Sequence, residues 1–402
     1  MAQRAFLIAL LLTAVLLTLG AAILPSGLGS SQRNHYELYS QALLEGRLWV
    51  RDAEKIQDCP YDMALVGGKC YMYQGIPPAV FHWIPGVSDH LVCILFCGLA
   101  IYFFLRILFE LSQVNKRDDF SVWIPPIGVA VLAIALLPIA LVGRMYEEAI
   151  LVGAAFGLMG IHFLLPFLLG ESAHGKKFWW GMLALGLAGV TRPPWIFALG
   201  GVSAFFLFRD RKVGFIFPGL LAGLTLAFIN WARFGNPFEF GLKFTSAVYG
   251  WESPYGVLSL HFLLQNLAIY LFFGFFTFSR YHSWIMEQFR HGLVCIEFPL
   301  ALFLLAPILL YVMQRGWREM RGSSPLLFAF VPLSLPCLLS SGQVHRYQLE
   351  ALGMFLVVLI PVWVSLSRKF HWKWINWAAL GWALAVNIEN SRRLLLTLWD
   401  VL

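Results

Sequence analysis

Long apolar runs alternate with short polar breaks along most of the chain. Runs at about 5–24, 89–109, 122–142, 146–169, 178–191, 194–208, 213–232, 293–313, 325–341, 349–366 and 374–390 carry almost no charge. A helix needs about 20 consecutive apolar residues to cross the hydrocarbon core of a bilayer, so the pattern predicts an all-α polytopic membrane protein with about 11 transmembrane helices. The runs 178–191 and 194–208 are short, and Thr191-Arg192-Pro193-Pro194 separates them. Proline cannot continue a helix ladder, so these two form a hairpin that turns near the membrane surface. The first run is expected to be a retained helix rather than a cleaved leader, because only Arg4 charges its front and no small-x-small site follows.

Polar and apolar positions keep their order inside the breaks. The long segment 25–88 opens with RNHYELYSQALLEGRLWV, where Asn34, Glu37, Gln41 and Glu45 share one helical face and Tyr36, Tyr39 and Leu43 another. That spacing predicts an amphipathic helix along the membrane, ended by Gly46. Farther on, ALV-GG-KCYMY reads as a hairpin with a Gly-Gly turn, flanked by Cys59 and Cys70. Residues 260–278 are apolar enough to span, but a span there would invert every later basic loop. The segment 233–292 is therefore placed on the same side as 25–88, partly as an interfacial or re-entrant helix.

Charge supplies the orientation. The short loops carry Lys116-Arg117, Lys176-Lys177, Arg209/Arg211/Lys212, Arg315/Arg318/Arg321 and Arg368-Lys369/Lys373, which marks them as cytoplasmic. Segments 25–88 and 233–292 then face the extracytoplasmic side, and the chain reads as one membrane-embedded domain over 1–402. Only 13% of residues are charged, about half the usual share for a soluble domain. The net charge of +7 follows this loop pattern and gives no nucleic-acid partner, while 16 Trp and 13 Tyr suit interfacial belts. A Cys59–Cys70 disulfide fits an oxidising compartment; Cys93, Cys97, Cys295 and Cys337 lie in spans as apolar fillers.

No phosphate-binding glycine loop, nucleophile elbow or zinc-protease motif occurs in a usable context, and no cofactor or metal is expected. What remains for chemistry is a set of polar residues at the extracytoplasmic surface: His35, Glu37, Asp62, Lys69, Tyr71, Arg192, Arg346 and Tyr347 among them. Glu147-Glu148, in a very short outer turn, are read as caps of the next helix.

The order of short motifs resembles a known family. An acidic residue follows the first apolar run in YELYSQALLEGRLWV; then come DMALVGGKCY, GIPPAVFHWIP, TRPP at 191–194, FGNPFEFG at 234–241 and HRYQLEAL at 345–352. Together they look like the C-type integral membrane glycosyltransferases, the group with the protein O-mannosyltransferases and lipid A aminoarabinose transferases. The resemblance implies transfer of a sugar from a polyprenyl-phosphate carrier to a glycan, lipid or protein acceptor at the outer membrane face. Attack by a hydroxyl needs one base, whereas a phosphate leaving group needs cations rather than an acid. Glu37 stands where the family has its catalytic acid, although the family's usual pair of adjacent acids is a single acid here, and Asp62 stays a rival base. Arg192, Arg346 and Lys69 are the candidates for the carrier phosphate, Arg being favoured by its planar fork. His35, Tyr71 and Tyr347 are the candidates for substrate contacts. A lipid-linked glycan polymerase or ligase would share these features. A transporter would instead place ionisable groups at mid-membrane.

Overall fold

The computed structural model describes residues 35–60, 63–114, 145–241, 244, 259–264, 294–295, 324–339 and 342–343. Its body is helical. Helix α1 spans His35–Leu44, α2 Pro77–Phe81, α3 Asp89–Val114, α4 Met145–Leu168, α5 Lys176–Thr191, α6 Pro194–Asp210, α7 Phe217–Phe234 and α8 Ser324–Leu339. Among the described residues, three stretches are long and apolar enough to cross a membrane: Asp89–Leu111, Glu147–Leu168 and Val213–Phe234. The α5–α6 turn falls where the two prolines require it. Arg192 is extended, as a residue before proline prefers, and Pro194 opens α6.

Small residues let these helices approach closely. A Cβ on Gly160 of α4 would lie 2.9 Å from the Gly181 carbonyl of α5, and one on Gly181 would lie 2.6 Å from Leu164 Cγ. In α6, a Cβ on Gly201 would lie 1.8 Å from the Phe328 carbonyl of α8. Lipid tails are as apolar as leucine, so membrane helices gain from such close packing rather than from burial alone. Around the contacts Phe104, Leu105, Ile150, Leu185, Trp195 and Phe206 are fully buried. Helix α7, by contrast, leaves Phe217, Leu221, Leu224 and Phe228 exposed among the described residues, an apolar stripe suited to lipid.

The described part of segment 25–88, called loop one below, folds over one end of this bundle. Strands β1 (Arg51–Asp52), β2 (Ala64–Val66) and β3 (Lys69–Tyr71) form an antiparallel sheet ordered β1-β3-β2. The β2–β3 turn has Gly67 and Gly68 both at positive φ, the conformation a two-residue hairpin of matching twist demands. Cys59 and Cys70 form a disulfide as expected, over a small core with Met63. The sequence pattern predicts two strands; β1 is the third. Its two residues are charged and exposed, so nothing in their hydrophobicity marks a strand.

Six of the expected spans coincide with described helices. Those at 5–24, 122–142, 349–366 and 374–390 lie outside the described residues. The expected 293–313 helix does not begin at its first residues, because β4 (Val294–Cys295) pairs in parallel with β5 (Gly342–Gln343). Arg209, at the opposite end of the bundle from loop one, donates to the carbonyls of Phe167 and Glu171 and fastens the end of α6 to that of α4.

Candidate active site

Helix α1 carries the two faces its sequence prescribes. Glu37, Gln41 and Glu45 are exposed, while Tyr36 and Tyr39 are fully buried. The helix stops at Gly46, at φ 73°, with Gly46 N donating to Leu43 O and Arg47 N to Ala42 O. This pair of bonds satisfies the last carbonyls of α1. Its buried face rests on protein, against Met72, Ala79 of α2 and Ala149 of α4. Glu37 therefore sits on the wet side of a helix clamped to the bundle.

Beneath α1, two buried guanidinium groups meet one glutamine. Arg192 Nη1 donates to Gln74 Oε1 at 2.7 Å, and Arg233 Nη1 donates to the Gln74 carbonyl at 3.0 Å. Arg233 also donates through Nη2 to the Tyr39 hydroxyl and lies over the Tyr39 ring, 5.3 Å from its centroid. Gly75 makes this approach possible, since a Cβ there would lie 2.4 Å from the Val190 carbonyl at the end of α5. Gly153 of α4 does the same for the Arg192 stem, whose Cγ would lie 2.9 Å from an added Cβ.

A second group gathers on the other side of Tyr36. His82 Nε2 lies 3.0 Å from Glu148 Oε1 and 3.5 Å from Asp89 Oδ1, all three side chains being buried. The Tyr36 ring lies parallel to the His82 ring at 6.4 Å, and its hydroxyl donates to the Gly75 carbonyl at 3.3 Å. Tyr36 thus stands between the guanidinium pair and the carboxylates. Burial and then the Glu148 charge push its phenol well above the usual range, with Arg192 and Arg233 pulling the other way. Burial pushes His82 below the ordinary imidazole value, opposed by the Val87 carbonyl and the Glu37 charge. Tyr71 is raised by burial and drawn back by Arg233.

The expected residues divide accordingly. Arg192 is central, Glu37 is at the rim, and Tyr71 packs edge-on to Phe234 beside Arg233, with ring centroids 5.8 Å apart. Lys69 is held on the sheet, its Nζ 3.7 Å over the Trp49 ring. His35 is turned inward and 1% exposed, so it faces the bundle rather than an acceptor in solvent. Asp62, Arg346 and Tyr347 lie outside the described residues. Glu147 and Glu148 do stand in the first turn of α4 as expected of caps, but both are buried, and Glu148 also reaches His82.

Comparison with known proteins adds one distant likeness. No protein-family profile matches the chain, and no curated protein sequence does. Among solved structures, the chain is similar to the crystal structure of ArnT from Cupriavidus metallidurans bound to undecaprenyl phosphate, at 14% identity and a TM-score of 0.47. The match covers 92% of this chain and 61% of that one, so the chain spans about three fifths of that protein's length.

Four residues of the site carry no decisive sequence signal. Arg233 reads as an ordinary basic residue in a last helical turn, Asp89 as an acid in a first turn. Gln74 precedes the GIPPAVFHWIP stretch and His82 lies within it, but nothing in that stretch marks either as a site residue. Only their convergence distinguishes them.

Proposed function

We propose that the chain is an integral membrane glycosyltransferase that moves a sugar from a polyprenyl-phosphate carrier to an acceptor at the face covered by loop one. The observation that carries this reading is Arg233. The residue is 3% exposed, yet its partners among the described residues are neutral: a carbonyl, a phenol and an aromatic ring. Its Nε has no hydrogen-bond partner among the described residues. A buried guanidinium without a carboxylate is costly unless an anion completes it. Arg192 stands on the other side of Gln74, so the pair suits a phosphate group, which two forked cations bind well.

The chemistry then needs little more. An acceptor hydroxyl attacks the anomeric carbon, its proton passes to the Glu37 carboxylate, and the carbon–oxygen bond to phosphate breaks. The electron pair leaves on the carrier phosphate, where Arg192 and Arg233 stabilise it. A single displacement inverts the anomeric centre. Glu37 is two residues from Tyr39, the partner of Arg233, so one helix ties base and phosphate site together. Tyr71 lines the Arg233 side. In this reading Arg346 and Lys69 add cations for the carrier phosphate, Tyr71 and Tyr347 contact substrate, inward-turned His35 braces α1 against the bundle, Asp62 is the rival base, and no metal enters the transfer step. The Lys and Arg residues of the short loops support an extracytoplasmic position for this face, at a cell or inner membrane.

The test is direct. The purified full chain in nanodiscs is offered polyprenyl-monophosphate pentoses and hexoses with a membrane glycan extract. Consumption of one donor, with an inverted anomeric linkage in the product, supports the reading. Failure to bind or turn over any of them overturns it.

A further inference from the structure

We infer that His82, Asp89 and Glu148 form a binding site for one divalent cation of the zinc or manganese type, which pins loop one to α3 and α4. The three ligand atoms lie within 4.8 Å of one another. Ligands about 2.0–2.2 Å from a shared ion stand about 3.0–3.6 Å apart, as His82 Nε2 stands from both carboxylates here.

The tautomer of His82 makes the argument stronger. Its Nδ1 lies 3.2 Å from the Val87 carbonyl, which can only accept, so Nδ1 carries the proton. Nε2 of the neutral ring then presents a lone pair toward two carboxylates. An imidazole whose far nitrogen is fixed by a backbone carbonyl is the usual arrangement of a metal ligand. Glu148 adds a second sign. Its side chain is fully buried, and Oε2 has no hydrogen-bond partner among the described residues. A buried carboxylate needs a compensating charge, and a divalent ion supplies one to Glu148 together with a partner for its Oε2. One imidazole nitrogen with carboxylate oxygens suits Zn2+ or Mn2+ better than Mg2+ or Ca2+.

The elements joined are far apart in sequence. His82 and Glu148 are separated by 66 positions, and Asp89 opens the helix between them. The ion would therefore fasten the end of loop one to two membrane helices. The site is a structural clamp that goes beyond the transferase reading and does not depend on it.

The experiment measures metal, not transfer. The full chain, purified in detergent and stripped with chelator, is titrated with ZnCl2 and with MnCl2. Bound metal is counted by plasma mass spectrometry and thermal unfolding is followed in parallel. Expected are about one ion per chain for at least one of the two metals and a rise in Tm on loading. Glu148→Gln and His82→Ala should each weaken binding by at least about 10-fold, while the exposed Glu54→Gln leaves it unchanged. Wild-type protein that takes up neither metal at micromolar concentration overturns the proposal, whatever the folding of the variants. So does undiminished uptake in Glu148→Gln and His82→Ala; Glu148 then shares a proton with His82 instead.

Discussion

Arg192 donates to the side-chain oxygen of Gln74 at 2.7 Å, joining residues 118 positions apart. That bond links loop one to the α5–α6 turn, and the Gln74 carbonyl extends it to Arg233 on α7. One neutral residue thus organises two cations that would otherwise repel each other. Gln74→Leu keeps the bulk of the side chain but leaves the Arg192 guanidinium short of an acceptor. Hydrogen bonds to charged groups contribute about 1.5–3 kcal/mol, so the variant should lose about that much stability by thermal or denaturant unfolding. Unchanged stability would mean that water replaces the glutamine.

The pair also predicts a graded effect on ligand affinity. Arg233→Ala and Arg192→Ala should each weaken binding of a polyprenyl phosphate. Lysine at either position should restore it only in part, since it keeps the charge and loses the fork. Equal affinity in both alanine variants, with the proteins folded, would leave these residues a purely structural role.

Close packing gives a prediction at a distance from any chemistry. A Cβ on Gly157 of α4 would lie 2.3 Å from the Trp195 ring, which is buried at the start of α6. Gly157→Ala should cost about 1–3 kcal/mol through overpacking. Trp195→Phe removes the offending edge, so the double variant should recover part of the loss. Simple additivity of the two substitutions would show that the contact is not shared.

The ends of the bundle predict two sides of a membrane. Glu54 belongs to the loop-one end, whereas Lys212 follows α6 at the opposite end, about 25 Å of helix away. Glu54→Cys should react with an impermeant maleimide from outside intact cells, and Lys212→Cys only after lysis. The disulfided Cys59 and Cys70 and the buried Cys93 and Cys97 should contribute little background. Labelling of both from the same side contradicts the orientation drawn from the basic loops.

What the sequence discloses follows from how local each cause is. The turn at Thr191–Pro194 was legible because proline acts on its neighbours. The wet and dry faces of α1 were legible because helical spacing sets them. The Gly-Gly turn and its flanking cysteines lie within 12 residues of chain and needed no fold to find. The guanidinium pair and the His82–Asp89–Glu148 group were not legible. Each of their members has an adequate local explanation, such as a helix end or a polar loop, and only tertiary packing brings together residues 66 to 159 positions apart. The strand at Arg51–Asp52 was hidden for the same reason, since it exists only through its pairing with β3.

Glu37 carries the last prediction. It is exposed on α1, while two residues later Tyr39 is buried and accepts from Arg233. Any carrier phosphate bound at Arg233 therefore lies on the buried side of the helix that presents this carboxylate. The clamp at Gly46 and the packing of Tyr36 and Tyr39 hold that helix in place, so the carboxylate has a fixed base even though its tip is in water. Glu37→Gln keeps size and hydrogen-bonding reach but loses basicity. It should bind donor as the wild type does and transfer sugar about 100- to 10,000-fold more slowly, the usual loss for a positioned base. Asp62→Asn is the matched control and should lose much less. Retained activity in Glu37→Gln together with its abolition in Asp62→Asn would move the base to the segment between the disulfide and the hairpin. A raised KM with unchanged kcat in Glu37→Gln would make it a binding residue and not a base.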